Sequence, residues 1–165
     1  MTDDQADIPN VAEILAGVLR GIDSKLQPLL LAKIERLAAE RYRIWASELS
    51  DRSVQQGLLA CAGREEEIAT RVESLVPDAA RIQDKLLSDN PSLLEMNRTL
   101  FEGRPIEVQF TIQAEGERAG AAAWKAYAAA SSDESAQGLL QSCSELEQEN
   151  AEFLQKLVFT VDGRQ

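Results

Sequence analysis

Residues 35–46 read ERLAAERYRIWA, and residues 117–128 read ERAGAAAWKAYA. Both stretches begin with Glu and continue with small residues and two aromatic residues at the spacing of one helix face. The tetrapeptide QGLL follows each stretch, at residues 56–59 and 137–140, and a one-residue slip brings the two copies into register. A glycine inside a helix costs about 1 kcal/mol relative to Ala, so both copies predict the close approach of another helix. The chain is therefore predicted to contain two related helix pairs.

Hydrophobic periodicity and helix-breaking residues divide the rest of the chain. Pro28 suits the first turn of a helix, and Asp51 suits the cap of the next one. Ser131-x-x-Glu134 predicts a capping box at the start of the last helix. The predicted single domain comprises a disordered tail at 1–8, an accessory helix at 9–26, a first helix pair at 27–76, a crossover of two short helices at 77–105, a second helix pair at 106–159 and a tail at 160–165.

Composition limits the possible functions. Of 165 residues, 44% are hydrophobic and 27% are charged, which is typical of a globular protein. The net charge of −11 disfavours nucleic acid and anionic lipid as partners. No apolar run is long enough to span a membrane, and the acidic N-terminus does not resemble a signal peptide. We therefore expect a cytoplasmic protein.

The cysteines and helical aromatic residues favour structural roles. Cys61 and Cys143 lack the spacing of metal ligands, so buried free thiols are expected, with a disulfide or redox pair as the alternative. Helical aromatic residues usually pack in a core or an interface. Core or dimer packing is accordingly predicted for Tyr42, Trp45, Trp124 and Tyr127.

Four glutamates are predicted to project from apolar helix stripes: Glu35, Glu66, Glu117 and Glu147. Residues three or four positions apart share a helix face, and the neighbours at these spacings are mainly apolar. A carboxylate buried without a partner costs several kcal/mol or takes up a proton. Converging carboxylates therefore predict either a bound cation or compensating partners.

The pattern resembles the ferritin-like superfamily, and its rubrerythrin-like branch in particular. The resemblance covers roughly residues 27–76 and 106–158. It implies an all-α, ferritin-like four-helix bundle made of two helical hairpins with a long crossover, and a homodimer. In that family the corresponding glutamates and two Glu-x-x-His motifs hold two iron or manganese ions that react with oxygen or peroxide. The implied metal ligands here are Glu35, Glu66, Glu117, Glu147 and Asn150.

The sequence departs from the family at both histidine positions, which are occupied by Ala69 and Asn150. The chain contains no histidine at all. Oxygen ligands alone favour Mn, Mg or Ca over tight di-iron chemistry. The Cys-x-x-Cys pairs of a rubredoxin-like iron module are also missing.

Two functions remain open. The first is a non-catalytic scaffold or interaction module in which packing and hydrogen bonds fill the former metal site. The second is a carboxylate-ligated di-metal protein, with Fe or Mn as possible cofactor and weak oxidoreductase or storage activity. A small-molecule carrier has no support in the sequence. Basic residues could also pair with the glutamates, and the candidates are Arg36, Arg41, Arg43, Arg118 and Lys125.

Overall fold

The computed structural model describes the backbone of residues 8–162 and the side chains of residues 8–160. Within these residues all regular structure is helical, as predicted, and no strand occurs. The predicted disordered tail, apart from Ile8, lies outside the described residues. None of the described helices is both long enough and apolar enough to cross a membrane.

Seven helices occur in the described part of the chain. Most boundaries match the predictions to within a few residues, including the two short helices of the crossover. The helices are α1 (Val11–Arg20), α2 (Gln27–Glu48), α3 (Arg52–Glu73), α4 (Ala79–Asp89), α5 (Ser92–Phe101), α6 (Ile106–Ala130) and α7 (Glu134–Asp162).

Three predicted boundaries are wrong. Helix α1 ends at Arg20, and turns occupy the six residues before α2 that were assigned to the accessory helix. Helix α3 ends at Glu73 rather than near Pro77, since turn residues follow it. Helix α7 continues to Asp162, so the predicted tail at 160–165 begins as helix and its last three residues lie outside the described part.

Aspartate caps open the second helix of each long pair. The Asp51 carboxylate accepts hydrogen bonds from the backbone N–H groups of Ser53 and Val54, as predicted. At α7 the Asp133 carboxylate accepts from the backbone N–H of Ala136 at 3.1 Å. The predicted Ser131-x-x-Glu134 box is therefore wrong, because Asp133 supplies the oxygen that satisfies the exposed N–H.

The four long helices form the bundle. Helices α2 and α3 pack against each other along their length, as do α6 and α7, and α3 joins the two pairs by contacting α7. Three-residue loops connect each pair, so its helices run antiparallel. One core cluster lies around Trp45, Leu58 and Phe110, and a second around Ile68 and Trp124.

The remaining helices cover the bundle. Helix α1 and the crossover helix α5 contact α6, whereas α4 contacts α2. The buried side chains of Leu19, Leu30 and Leu86 belong to a third cluster, which joins α1, α2 and α4. The accessory helix thus packs across its own bundle.

The two QGLL glycines occupy different environments. A Cβ on Gly57 would lie 2.2 Å from ring atoms of Phe153, which confirms a close approach of α7. A Cβ on Gly138 would meet no described atom within 4 Å, so the prediction is wrong at that position. Among the glycines of the second helix pair, Gly120 has the closest neighbour, because a Cβ there would lie 2.5 Å from Glu147 Oε1.

Candidate metal centre

Four glutamates meet in the interior of the bundle, one from each long helix: Glu35 on α2, Glu65 on α3, Glu117 on α6 and Glu147 on α7. Their exposed fractions are between 0% and 5%. Three of them coincide with the predicted ligands. The convergence follows from packing two antiparallel pairs whose inward stripes carry a glutamate near mid-helix.

The fourth predicted ligand, Glu66, lies outside this cluster. Its side chain is 46% exposed, and Oε1 lies 2.6 Å from Nη2 of Arg43 in a surface ion pair. The preceding residue, Glu65, is fully buried instead. Consecutive helix residues point about 100° apart, so a one-residue error in register replaces an interior residue with a surface residue.

Neutral side chains donate hydrogen bonds to three of the buried carboxylates. Tyr42 Oη donates to Glu117 Oε1 at 2.5 Å, and Trp124 Nε1 donates to Glu147 Oε1 at 2.9 Å. Neutral donors orient a carboxylate without cancelling its charge. The predicted core stripe of aromatic residues therefore also supplies polar groups to the cluster.

Asn150, the fifth predicted ligand, supports the cluster as a hydrogen-bond donor. Its Nδ2 donates to Glu65 Oε1 at 2.6 Å, and its Oδ1 accepts from Arg64 Nη1 at 3.2 Å. Both functional ends of this fully buried amide are thus occupied by protein groups. Ala69, at the other predicted histidine position, is buried in an apolar cluster and contributes no ligand atom.

One oxygen of each glutamate has no hydrogen-bond partner among the described residues: Glu35 Oε1, Glu65 Oε2, Glu117 Oε2 and Glu147 Oε2. Of the basic residues considered as partners for the predicted glutamates, Arg43 pairs with Glu66, and none forms an ion pair with the four buried carboxylates in the described part of the chain. Arg36 pairs with Glu73 and Arg118 with Glu115. Each orphaned buried carboxylate oxygen costs free energy that a proton or a cation could offset.

Three carboxylates are close enough to share one ion. Each of Glu35, Glu65 and Glu147 offers an oxygen, and these oxygens lie within 4.8 Å of one another. Oxygen ligands bind a hard cation at about 2.0 to 2.6 Å. Separations of this size allow the three carboxylates to approach one divalent ion.

Burial raises the pKa values of three carboxyl groups in the absence of a cation. It is the main cause of the rise in the pKa of Glu35 to about 7, and the nearby charge of Glu117 adds to it. Desolvation, followed by the charges of the neighbouring glutamates, raises the pKa values of Glu65 and Glu147 well above the usual range. Without a cation, these three groups therefore retain protons to higher pH than exposed glutamates do.

The cysteines are free and buried, as predicted. Burial raises the pKa values of Cys61 and Cys143 to about 12. Both remain thiols at neutral pH, and thiols are poor metal ligands compared with thiolates.

A cavity of about 90 Å³ extends from the glutamate cluster towards the crossover. Glu35, Glu117 and Glu147 line its inner end, and apolar residues of α1, α2, α5 and α6 form most of its wall. Arg41 is the only basic residue among its described lining residues. The cluster thus has an apolar approach from one side of the bundle.

Glu65 and the donor roles of Tyr42, Trp124 and Asn150 were not predicted, although the sequence contains one signal for Glu65. Glu65 and Glu147 are 82 positions apart, as are the aspartate caps Asp51 and Asp133. Cys61 and Cys143 have the same spacing. A constant spacing of 82 residues between the two helix pairs therefore indicates Glu65 as the equivalent of Glu147. Alignment of the two QGLL tetrapeptides shifts the register by one residue and indicates Glu66 instead.

No protein-family model matches the chain, and neither a curated protein nor a solved structure is similar enough to count as a match. The ferritin-like resemblance therefore stays a prediction from the sequence.

Proposed function

We propose that this protein is a ferritin-like bundle that binds divalent cations through buried glutamates. Glu35, Glu65 and Glu147 would hold one ion, and Glu117 would contribute its free Oε2 to the second ion that the resemblance implies. Carboxylates without imidazole suit Mn, Mg and Ca, and bind Fe(II) less selectively than mixed ligand sets do. A bound ion would neutralise the carboxylates and could act as a Lewis acid.

The observation that carries this proposal is the set of four orphaned oxygens within one buried cluster. A solvated glutamate satisfies its oxygens with water, but these side chains are at most 5% exposed. Replacing a buried charge by an apolar residue is often neutral or stabilising, so buried carboxylates are a poor means of stabilising a fold. Four carboxylates in one buried cluster are better explained by a cation that they bind.

Matching contacts in the two helix pairs support the ferritin-like assignment. Trp45 Nε1 donates to Gln109 Oε1 at 3.0 Å, and Tyr127 Oη donates to Gln27 Oε1 at 3.1 Å. The donors are 82 positions apart, and so are the acceptors. Such exchanged contacts are expected of two hairpins related by a pseudo-twofold axis, the arrangement that builds carboxylate sites in ferritin-like bundles.

The decisive experiment compares two adjacent glutamates. Metal-free wild type, Glu65→Gln and Glu66→Gln are titrated with Mn(II), Fe(II), Ca²⁺ and Mg²⁺ by calorimetry, and bound metal is counted after desalting. We expect Glu65→Gln to weaken binding at least about tenfold, because it removes a charged ligand. Glu66→Gln should remain within about twofold of wild type, because Glu66 faces solvent. Absence of tight binding to wild type, or equal losses in both variants, would refute the proposal.

A non-catalytic scaffold is the second candidate, favoured by the hydrogen bonds from Tyr42, Trp124 and Asn150. In that case protons rather than cations neutralise the cluster. Glu65→Leu would then be neutral or stabilising, and no divalent ion would raise the melting temperature of the wild type. Metal-dependent stabilisation of the wild type but not of Glu65→Leu would exclude the scaffold.

The expected homodimer and cytoplasmic location also belong to this proposal. The side chains of Ile44, Leu59 and Phe159 are more than half exposed, at 55%, 51% and 66%, and apolar surface of this kind suits a partner subunit. Two buried free thiols suit a reducing compartment. Light scattering at several concentrations tests the dimer, and a constant monomer mass would exclude it.

A further inference from the structure

We infer that the cavity between α1, α2, α5 and α6 binds a short aliphatic monocarboxylate, whose carboxylate is held by Arg41. This inference goes beyond metal binding and does not depend on it. A carrier function had no support in the sequence, because the cavity brings together residues from distant helices.

The wall of the cavity is predominantly apolar. Ile34 and Leu37 of α2 face it, as do Met96 and Leu100 of α5 and Ile112 of α6. Helix α5 covers the cavity without a fully buried residue of its own, and its Leu93 and Phe101 pack against two of the core clusters. An apolar pocket with few polar groups is typical of a small-molecule site, and the polar groups set the ligand's orientation.

Arg41 is the cation of this pocket. Its Nη1 donates to Gln113 Oε1 at 2.6 Å, its Nη2 donates to Asn97 Oδ1, and its guanidinium carbon lies 3.6 Å from the centre of the Phe101 ring. All these partners are neutral. Burial lowers the pKa of Arg41 to about 10, which still leaves it charged at neutral pH.

Arg41 has no carboxylate within 4.0 Å among the described residues, although several surface arginines have one. The nearest link to an anion is indirect, because Gln113 Nε2 donates to Glu117 Oε1 at 2.8 Å. A guanidinium has five N–H donors, and two are used here. A ligand carboxylate would supply the missing charge through the bidentate geometry that Arg favours.

Arg41, as the only cation among the described lining residues, determines the ligand's orientation. Glu35 is six residues from Arg41 on the same helix, about 9 Å along the axis, and Glu117 is separated from Arg41 by the Gln113 amide. The head group therefore sits at Arg41. The 90 Å³ volume is smaller than cavities that admit the six-carbon ring of benzene, at about 150 Å³, so the ligand is smaller than benzene, with roughly two or three carbons.

Calorimetry or NMR titration of the metal-free protein tests this assignment with propionate, 1-propanol and propylamine. We expect saturable propionate binding at least about tenfold tighter than that of propanol, because a charge-assisted hydrogen bond adds to the apolar contact. Arg41→Met should weaken propionate binding about tenfold to a hundredfold and leave propanol binding within about threefold. Arg43→Met, two residues away in a solvent-facing ion pair, is the matched control and should change neither.

A second variant keeps the test decisive if Arg41→Met does not fold. Met96→Trp places a bulky side chain in the cavity from α5, which has no fully buried residue of its own. It should abolish propionate binding without altering the far-UV circular dichroism spectrum. Unchanged propionate affinity in Met96→Trp or Arg41→Met, propanol binding as tight as propionate, or a preference for propylamine would each overturn the assignment.

Failure of this inference is distinguishable from failure of the metal site. Glu65 does not line the cavity. Glu65→Gln should therefore bind propionate with wild-type affinity while it loses metal affinity.

Discussion

The two helix pairs contribute the same number of carboxylates to the cluster, but they differ in the residue three positions after the second glutamate. Hairpin α2–α3 provides Glu35 and Glu65, and hairpin α6–α7 provides Glu117 and Glu147. Three residues after its glutamate, α7 carries Asn150. At the corresponding place after Glu65, α3 carries the fully buried, apolar Ile68.

This difference shows that the same helix bundle can surround the carboxylates with a hydrogen-bonding amide on one side and with apolar packing on the other. On the α7 side an amide ties a carboxylate of the other hairpin to Arg64. On the α3 side the same level is filled by hydrocarbon, which stabilises by burial and packing rather than by hydrogen bonding. The glutamate cluster is therefore stabilised by hydrogen bonding on the α7 side and by apolar packing on the α3 side.

The largest loss of stability is expected when the apolar side chain on the α3 side is truncated. Ile68→Ala should lower the free energy of unfolding by about 2–5 kcal/mol, because it removes transfer energy and leaves a cavity. Urea unfolding measures it. Thr70 is exposed on the same helix, and Thr70→Ala should change the free energy of unfolding by no more than about 0.5 kcal/mol. Equal losses in the two variants would contradict the packed interior at Ile68.

A pH effect should follow from the carboxylates themselves. Because the pKa of Glu35 is raised to about 7, the folded protein holds this proton more tightly than the unfolded chain. Its stabilising contribution is complete below about pH 4.5 and is lost as pH rises through 7. Metal-free protein should thus be about 2 kcal/mol or more less stable at pH 7.5 than at pH 5.

Two variants identify the source of that pH dependence. Glu35→Gln should reduce the slope of stability against pH, and the exposed Glu66→Gln should retain it. The ion pair of Arg36 with Glu73 lowers the pKa of Glu73, so its effect falls below pH 4.5 and outside this window. A stability that rises from pH 5 to 7.5 would contradict the buried cluster.

Removing the Asn150 amide from the α7 side should cause an intermediate loss of stability. Asn150→Ala leaves Glu65 Oε1 without its donor, which should cost about 1–3 kcal/mol. Denaturant unfolding of the metal-free protein measures this loss. Gln148→Ala, at an exposed position of the same helix, should stay within about 0.5 kcal/mol. If Asn150→Ala matched that control, the amide would contribute nothing to the cluster.

The smallest expected changes in stability concern the two QGLL glycines, and they have opposite signs. Gly57→Ala forces the Phe153 ring to move and should destabilise by about 1 kcal/mol after the gain in helix propensity. Gly138→Ala meets open space and should stabilise by up to about 1 kcal/mol. Thermal unfolding measures both. Shifts of the same sign would mean that the two positions are equivalent after all.

Local signals in the sequence predicted most of the fold. The helices, the broken crossover and the Asp51 cap follow from periodicity, proline and capping chemistry, which act within a few residues. The Ser131-x-x-Glu134 box was wrong because Asp133 competes for the same backbone N–H group. The α1 and α3 ends were placed too late, since hydrophobic spacing alone does not distinguish a final helical turn from the turns that follow.

The site was predicted less completely, since it depends on register. Glu35, Glu117 and Glu147 were predicted from their helical spacing, and Asn150 was predicted from the resemblance to the Glu-x-x-His motifs. Glu66 was chosen over Glu65 because the QGLL copies were aligned, although the environments of Gly57 and Gly138 show that the two copies are not equivalent. The cavity at Arg41 had no sequence signal, because its walls come from helices far apart in the chain.

By itself, the sequence determined an all-helical chain with two long helix pairs and an interior rich in carboxylates, because helix propensity and spacing are local properties. Only the tertiary structure decided between Glu65 and Glu66. Either can sit at the edge of an apolar stripe, and the choice depends on a partner such as Arg43 or Asn150 on a neighbouring helix. It also decided that Arg41 faces an apolar cavity, because that requires three helices to pack around one side chain.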